Sequence, residues 1–166
     1  MKQPTDWMQI LFERRPYAAL VADLFHDVAY MAQKGGRAYR ENEKITPSSR
    51  VSPDDAVIGV DLNSCKVERI IPQLTGLIQT TKHVRHFGAN APELCYVADG
   101  AADAFISIRG KLRATDVAAA WLILGEAGAI ITKPDGTPLN VKLDPRQKVE
   151  FVASREIEKC TKPYLV

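Results

Sequence analysis

Residues 84–128 read VRHFGANAPELCYVADGAADAFISIRGKLRATDVAAAWLILGEAG and alternate between strand-like and helix-like patterns. The spacing predicts, in order, a strand at 83–87, a helix over Asn90–Ala98, a strand over Asp103–Ile108 and a helix over Thr115–Ala127. Gly100 and Gly128 stand just after the two helices, where helix ends favour glycine. The second helix is apolar almost all round, so we expect it to be buried.

The segments on either side extend this alternation. Ala56–Asp61 is a compact apolar run of the buried-strand type. Ser64 stands where it could cap a helix from Cys65 to about Gln79, which Pro72 should kink or shift. Towards the C-terminus the pattern predicts strand-like segments at 129–132, 139–141 and 149–153, a turn at 134–136, and the start of a helix at 155–159.

The N-terminal part has the pattern of an antiparallel meander. Tyr17–Leu24 fits a strand or a helix, and Asp27–Gln33 alternates like a half-buried strand with Val28 and Tyr30 on one face. A turn at 34–36 and a return strand over 37–40 complete the meander, and 41–53 reads as a surface loop.

The elements together predict an α/β fold, in which a layered sandwich holds a mixed sheet between helices. The N-terminal antiparallel meander would belong to an incomplete second sheet. We accordingly divide the chain into an N-terminal segment with the meander, 1–50, and a C-terminal α/β domain, 51–166.

Composition narrows the class of protein. The chain has 166 residues, 46% hydrophobic and 25% charged, as expected for one globular domain. A net charge of +2 argues against a polybasic nucleic-acid binder. Three cysteines without a CxxC motif disfavour a disulfide framework or a zinc site. There is no signal-peptide core at the N-terminus and no apolar run long enough for a bilayer, so we expect a cytoplasmic protein with no membrane or nucleic-acid partner.

Two features favour an anionic ligand. Gly88-Ala89-Asn90 opens a helix, where free backbone N–H groups and the helix dipole can hold a phosphate. Asp116 begins the next helix just after three cations at 109, 111 and 113, an arrangement that suits a site where Mg²⁺ and a phosphate meet. Simpler interpretations stay open: a strand-to-helix turn capped by Asn90, a solvated charged loop, and a carboxylate favoured by the helix dipole.

Several motifs, in order and with matching spacing, resemble the inositol monophosphatase family. They are Arg85-His86-Phe87-Gly88, Leu94-Cys95-Tyr96-Val97-Ala98-Asp99-Gly100, Asp103-Ala104-Phe105, Thr115-Asp116-Val117-Ala118-Ala119 and Glu126-Ala127-Gly128, with a hairpin over 29–39 upstream. The resemblance covers about 16–153 and is strongest to the archaeal enzymes that cleave both fructose-1,6-bisphosphate and inositol phosphates.

The resemblance implies roles for six residues. Asp116 matches an aspartate that ligates a catalytic Mg²⁺. Gly88, Ala89 and Asn90 match a substrate-contacting turn, and Arg85 and Arg109 match positions that hold the sugar or its distal phosphate. These matches imply a Mg²⁺-dependent phosphatase of phosphorylated sugars or inositols.

The sequence also departs from the family pattern. The family's other metal ligands lie in Gly-Glu…Asp-Gly-Thr and Asp-Pro-x-Asp-Gly-Thr motifs of its N-terminal half, and neither motif stands here. Asp135-Gly136-Thr137 follows Lys133-Pro134 and reads as a hairpin turn. One carboxylate cannot assemble a two-metal site.

Two functions follow from this departure. The chain is either part of a phosphatase that needs a complementary N-terminal half, or a catalytically inactive phosphate-binding or subunit-interaction module. A split-enzyme subunit, a degenerate gene product and a truncated form all fit the sequence. Because the family's covering elements are missing from the pattern, we expect an exposed sheet and therefore a homo-oligomer or a bound partner.

Overall fold

The computed structural model describes residues 5–12, 15–49, 52, 55–64, 66–141 and 143–155. In this part of the chain, three helices accompany two five-stranded sheets, one antiparallel and one mixed. The predicted α/β fold is therefore confirmed. The predicted domain boundary, the final helix beyond Arg155 and Cys65 fall outside the described residues.

The antiparallel sheet is a meander whose strands follow chain order. Its strands are β1 (Thr5–Phe12), β2 (Arg15–Asp23), β3 (Val28–Gln33), β4 (Ala38–Arg40) and β5 (Glu43–Lys44). The three central strands confirm the predicted meander and settle Tyr17–Leu24 as strand. The pattern did not predict β1, and the loop expected over 41–53 contains β5. The pattern missed β1 and β5 because each forms by pairing with a neighbouring strand, β1 with β2 and β5 with β4, rather than from a local signal.

The mixed sheet has the strand order β7-β6-β8-β10-β9. Its strands are β6 (Val57–Val60), β7 (His83–Arg85), β8 (Ala104–Arg113), β9 (Ile130–Thr132) and β10 (Lys148–Ser154). Strands β7, β6 and β8 run parallel, and β10 is antiparallel to both β8 and β9. Pairing of Lys148 with Arg113 and of Val149 with Leu112 continues β8 through the segment read as a charged loop, so that interpretation is wrong.

Three helices complete the layers: α1 (Val67–Thr80), α2 (Asn90–Ala98) and α3 (Ala114–Ala127). Helices α2 and α3 lie between the two sheets, where Trp121 packs edge-on against Phe151 with ring centroids 5.6 Å apart. Helix α1 covers the other face of the mixed sheet through Ile70, Leu74 and Leu77. The expected burial of the apolar helix α3 is confirmed.

Helix ends differ from the prediction at α1. The N-cap is Lys66, without a side-chain cap, whereas Ser64 has a φ of 49° and lies in the turn before it. Pro72 lies within the helix. The expected C-cap of α3 is confirmed, because Gly128 adopts a φ of 96°, the left-handed conformation that glycine tolerates. The strand predicted at 139–141 is wrong: these residues form no strand, and the preceding Pro138 makes one isolated bridge to Thr132.

The antiparallel sheet has one open face. Met8, Leu20 and Met31 lie side by side across β1, β2 and β3, and Met8 and Met31 are 60% and 38% exposed. The alternate residues Val21 and Tyr30 are buried on the opposite face, in the core cluster shared with α3. No other described element covers the open face, so a row of apolar side chains meets solvent there.

Candidate functional site

The order of the mixed sheet gives it a topological switch point at the carboxyl end of β6, and we call this edge of the sheet, around Asp61, the crevice. From β6 the chain passes through α1 to β7 on one side, then returns through α2 to β8 on the other side. Where successive crossovers leave in opposite directions, the loops part and a ligand can enter at the carboxyl ends of the strands. Asp61 follows β6 directly and therefore lies at this crevice.

A buried ion pair occupies the crevice. The side chain of Asp61 is fully buried, and its carboxylate accepts from Nε of Arg109 on β8. The same carboxylate accepts from Oγ of Ser107 at 3.2 Å and from the backbone N–H of Asn63 at 3.2 Å. Buried charges are stable when they are paired and their remaining hydrogen-bonding sites are filled, which is the arrangement here.

Three chain segments meet around this ion pair. Nδ1 of His86 lies 3.0 Å from the carbonyl oxygen of Val60, a contact made by an Nδ1–H donor. Nδ2 of Asn63 donates to the carbonyl oxygen of Gly88 at 3.2 Å. Nζ of Lys111 donates to the carbonyl oxygen of Ser64 at 2.6 Å. The loops after β6 and β7 are thus tied to each other and to β8.

A second buried carboxyl, Glu93, lies beneath the turn that starts α2. It is 3% exposed, and its Oε1 accepts the backbone N–H of Ala89 at 3.3 Å. Burial raises the pKa of Glu93 to about 7, and the negative charge of Asp61 adds to this, although the N–H groups of 87–89 oppose it. The backbone N–H groups of this turn therefore face Glu93.

Close packing holds Glu93 against the mixed sheet. A Cβ placed on Gly59 would lie 3.2 Å from Oε2 of Glu93 and 2.9 Å from the ring of Phe105. Only glycine at 59 leaves room for both side chains. Within the described residues, Oε2 of Glu93 has no hydrogen-bond partner.

The sequence-predicted residues lie in three places. Arg109 is 11% exposed and pairs with Asp61, and the nearby Asn63 donates to Gly88 of the turn at 88–90. In that turn Gly88 has a φ of 83°, Ala89 is the N-cap of α2, and the buried Oδ1 of Asn90 has no partner among the described residues. The expected capping by Asn90 is therefore wrong, because it is the first helical residue and makes no cap bond.

The other two predicted residues, Arg85 and Asp116, have partners of their own. Arg85 ends β7, is exposed, and its Nη1 donates to the carbonyl oxygen of Val84 at 3.2 Å. Asp116 in the first turn of α3 pairs with Arg113 through contacts of 3.0 and 2.9 Å. The hydrogen bond and negative charge of Asp116 raise the pKa of Arg113.

The described residues do not form a metal centre by themselves. No cluster of three or more His, Cys, Asp or Glu side chains with metal-binding geometry occurs in the described part of the chain. The carboxylate of Asp116 has a cation as its partner there. The implied Mg²⁺ therefore does not fit the donor set that these residues bring together.

The sequence interpretation missed Asp61 and Glu93. A carboxylate directly after a buried parallel strand, as in AVIGVD over 56–61, marks the carboxyl edge of a sheet. Glu93 is the acid of a helix whose other residues are apolar except for Asn90 and Tyr96. Both signals stand in the sequence, but only the fold shows that Glu93 is buried and that the charge of Asp61 adds to its raised pKa.

Comparison with known proteins gives the family. The sequence profile of the inositol monophosphatase family matches residues 10–164. The chain belongs to this family. It is 34% identical over 143 residues to the fructose-1,6-bisphosphatase/inositol-1-monophosphatase of Methanocaldococcus jannaschii, covering 86% of this chain and 54% of that protein.

Two further relatives extend the comparison. The bifunctional NADP phosphatase/NAD kinase of Methanococcus maripaludis is 35% identical over 134 residues, which are 77% of this chain and 23% of that protein. A Pyrococcus horikoshii protein with similarity to inositol-1 monophosphatase superposes with a TM-score of 0.77 at 32% identity, covering 88% of this chain and 55% of that structure. The chain therefore spans about half the length of several family members that it matches.

The same comparisons confirm the resemblance drawn from the motifs, including its archaeal character. None of the helices in the described part of the chain has the length and apolar character needed to cross a bilayer.

Proposed function

We propose that this chain provides the phosphate-binding part of a Mg²⁺-dependent phosphatase that acts on phosphorylated sugars or inositols. The supporting observation is Arg109, which is fixed by Asp61 in a crevice at the carboxyl end of the mixed sheet. Exposed cationic side chains at 85, 111 and 113 lie on the strands that lead to this edge. A guanidinium held in this way is well suited to a phosphate monoester.

Each residue of the crevice makes a different contact with the phosphorylated ligand. Arg109 holds the phosphate or a distal phosphate, and Arg85 reaches the same ligand from the end of β7. Because the backbone N–H groups of 87–89 face Glu93, the turn at 88–90 contributes shape and the side-chain amide of Asn90 rather than a nest of free donors. Cationic side chains therefore carry most of the attraction for the anion.

Hydrolysis requires carboxylates beyond those described. Asp116 is the metal ligand that the family pattern assigns, and we propose that further ligands come from a complementary N-terminal part of the enzyme. The open face of the antiparallel sheet, where Met8 and Met31 are exposed, is the surface that this part, or a second copy of the chain, would cover. We also keep, as part of this proposal, the division into an N-terminal segment, 1–50, and a C-terminal α/β domain, 51–166.

The second candidate is an inactive phosphate-binding or subunit-interaction module. The pairing of Asp116 with Arg113 favours it, as does the lack of a metal-binding cluster among the described residues. Phosphate binding without hydrolysis would then be the chain's whole activity.

Phosphate release separates the two candidates. The purified chain is incubated with fructose-1,6-bisphosphate, inositol-1-phosphate and NADP, the last because a family relative is named an NADP phosphatase. Each substrate is tested with and without Mg²⁺, beside Asp116→Asn and the matched control Asp135→Asn in an exposed turn.

Mg²⁺-dependent release that is lost in Asp116→Asn and kept in Asp135→Asn supports the phosphatase and assigns the substrate. Binding of these compounds without release by the chain alone fits both candidates, because the phosphatase needs its complementary N-terminal part. Release that appears when that part is added then supports the phosphatase, and no release in its presence supports the inactive module. Neither binding nor release would refute both.

A further inference from the structure

Asp61 is a buried carboxylate to which the family pattern above assigned no role. Its side chain has no exposed surface, and its two oxygens accept from Arg109, Ser107 and the N–H of Asn63. Three donors on three different backbone positions leave this carboxylate a single orientation. Its position is therefore as rigid as the strands β6 and β8 that carry it.

The contact with Arg109 uses only one edge of the guanidinium. Asp61 engages Nε, and neither Nη group of Arg109 has a hydrogen-bond partner in the described part of the chain. The arginine side chain is 11% exposed, so a small part of it meets solvent. The Nη edge, which Asp61 leaves unused, is the edge that can donate two parallel hydrogen bonds to phosphate oxygens.

We propose that Asp61 is a positioning residue: it fixes the plane of the Arg109 guanidinium so that the free Nη edge receives two oxygens of a phosphate monoester. This inference rests on the proposed function and adds the residue that orients its main cation. Arginine binds phosphate through two parallel N–H···O bonds, and their strength depends on a fixed guanidinium plane. Ser107 and the N–H of Asn63 hold Asp61 in turn.

Binding of inorganic phosphate and of inositol-1-phosphate to the purified chain, by calorimetry at low salt, tests the inference. Asp61→Asn keeps the size of the side chain but loses the charge that holds Nε, and we expect its affinity to fall about tenfold or more. Asp135→Asn makes the same chemical change in an exposed turn and should bind as the wild type does. Ser107→Ala removes one hold on Asp61 and should weaken binding less than Asp61→Asn.

Nuclear magnetic resonance of the arginine side chains provides a readout that needs no variant and no turnover. In the wild type, the Nε–H of Arg109 should exchange slowly with water, because it donates to a fully buried carboxylate. Added phosphate should shift the Arg109 signals while the Nε–H stays protected. Arg109 signals that phosphate leaves unchanged overturn the inference even where Asp61→Asn does not fold.

The outcomes separate the inference from the proposed function. Equal phosphate affinity of folded Asp61→Asn and the wild type overturns the positioning role alone. Arg109 signals that phosphate leaves unchanged overturn the positioning role together with the assignment of Arg109 as the phosphate-binding cation. A wild-type chain that binds no phosphate compound overturns the proposed function and the positioning role with it.

Discussion

Replacing Glu93 by glutamine should remove a pH dependence of stability that this buried carboxyl imposes on the fold. Burial raises the pKa of Glu93 from an ordinary 4.5 to about 7, aided by the charge of Asp61 and opposed by the N–H groups of 87–89. At about 1.36 kcal/mol for each pKa unit, the raised value corresponds to about 3 kcal/mol of differential stability. This is a large share of the free energy of unfolding of a typical domain.

The direction in which the free energy of unfolding changes with pH follows from proton binding to Glu93. Between pH 4.5 and about 7, the folded state keeps the proton on Glu93 while the unfolded chain has lost it. The free energy of unfolding therefore falls as pH rises through this window and becomes independent of Glu93 above it. The amide that replaces the carboxyl in Glu93→Gln cannot ionise, and its oxygen can still accept the N–H of Ala89 that Oε1 accepts at 3.3 Å.

Urea unfolding followed by circular dichroism, at intervals from about pH 4.5 to 8, measures the effect. The difference in free energy of unfolding between Glu93→Gln and the wild type should move by about 3 kcal/mol in favour of the variant from the lowest to the highest pH. Glu68→Gln, on the exposed first turn of α1, is the matched control and should run parallel to the wild type. Parallel curves for Glu93→Gln and the wild type would refute the raised pKa.

Three further substitutions test other parts of the fold. Asp23→Asn should lower the free energy of unfolding by about 1.5–3 kcal/mol at pH 7. The buried carboxylate of Asp23 pairs with His26 Nδ1 at 2.7 Å and accepts from the hydroxyl of Tyr96 on α2. Tyr30→Phe should cost about 1–3 kcal/mol, because its hydroxyl donates to Asp99 at 2.8 Å. Met31→Lys should abolish self-association in sedimentation velocity while leaving the thermal midpoint nearly unchanged, because its side chain lies on the open sheet face.

Each of these predictions has its own contrary result. Burial alone would raise the pKa of Asp23, but its hydrogen bonds with His26, Phe25 and Tyr96 lower it below 3.8. The cost of Asp23→Asn should therefore disappear as pH falls through that lowered pKa, and a cost that persists in acid would contradict the assignment. For Tyr30→Phe, a urea midpoint equal to that of the wild type would contradict a stabilising hydrogen bond from Tyr30 to Asp99. For Met31→Lys, a wild type that is monomeric at all concentrations would show that no second copy covers the face.

Local patterns predicted the elements whose signals lie within their own residues. Helix α2 has the predicted bounds, Asn90–Ala98, because an opening turn, an apolar face and a following glycine all stand in one short stretch. The extension of β8 to Arg113 was not predictable in this way. Alternating charges at 109, 111 and 113 resemble a solvated loop until Lys148 and Val149 of β10 pair with that segment.

The candidate site was predictable in part for the same reason. The motifs mark Arg109 and the turn at 88–90, and in the fold Arg109 pairs with Asp61 while Asn63 donates to Gly88. Their role in binding a ligand stays a prediction. The link from Asp61 to Arg109 spans 48 positions, and no local period encodes it. The sequence did not predict a role for Glu93, because its raised pKa arises from burial. That burial depends on packing against Phe105 and Gly59, which the fold alone brings about.

The most direct test of the account is a calorimetric titration of the wild-type chain with inositol-1-phosphate, beside Arg109→Gln. We expect the wild type to bind and the variant to bind at least about tenfold more weakly, because the fixed guanidinium supplies charge-assisted hydrogen bonds to the phosphate. Equal affinities in the two proteins, with both folded, would place the phosphate elsewhere and contradict the assignment of this crevice.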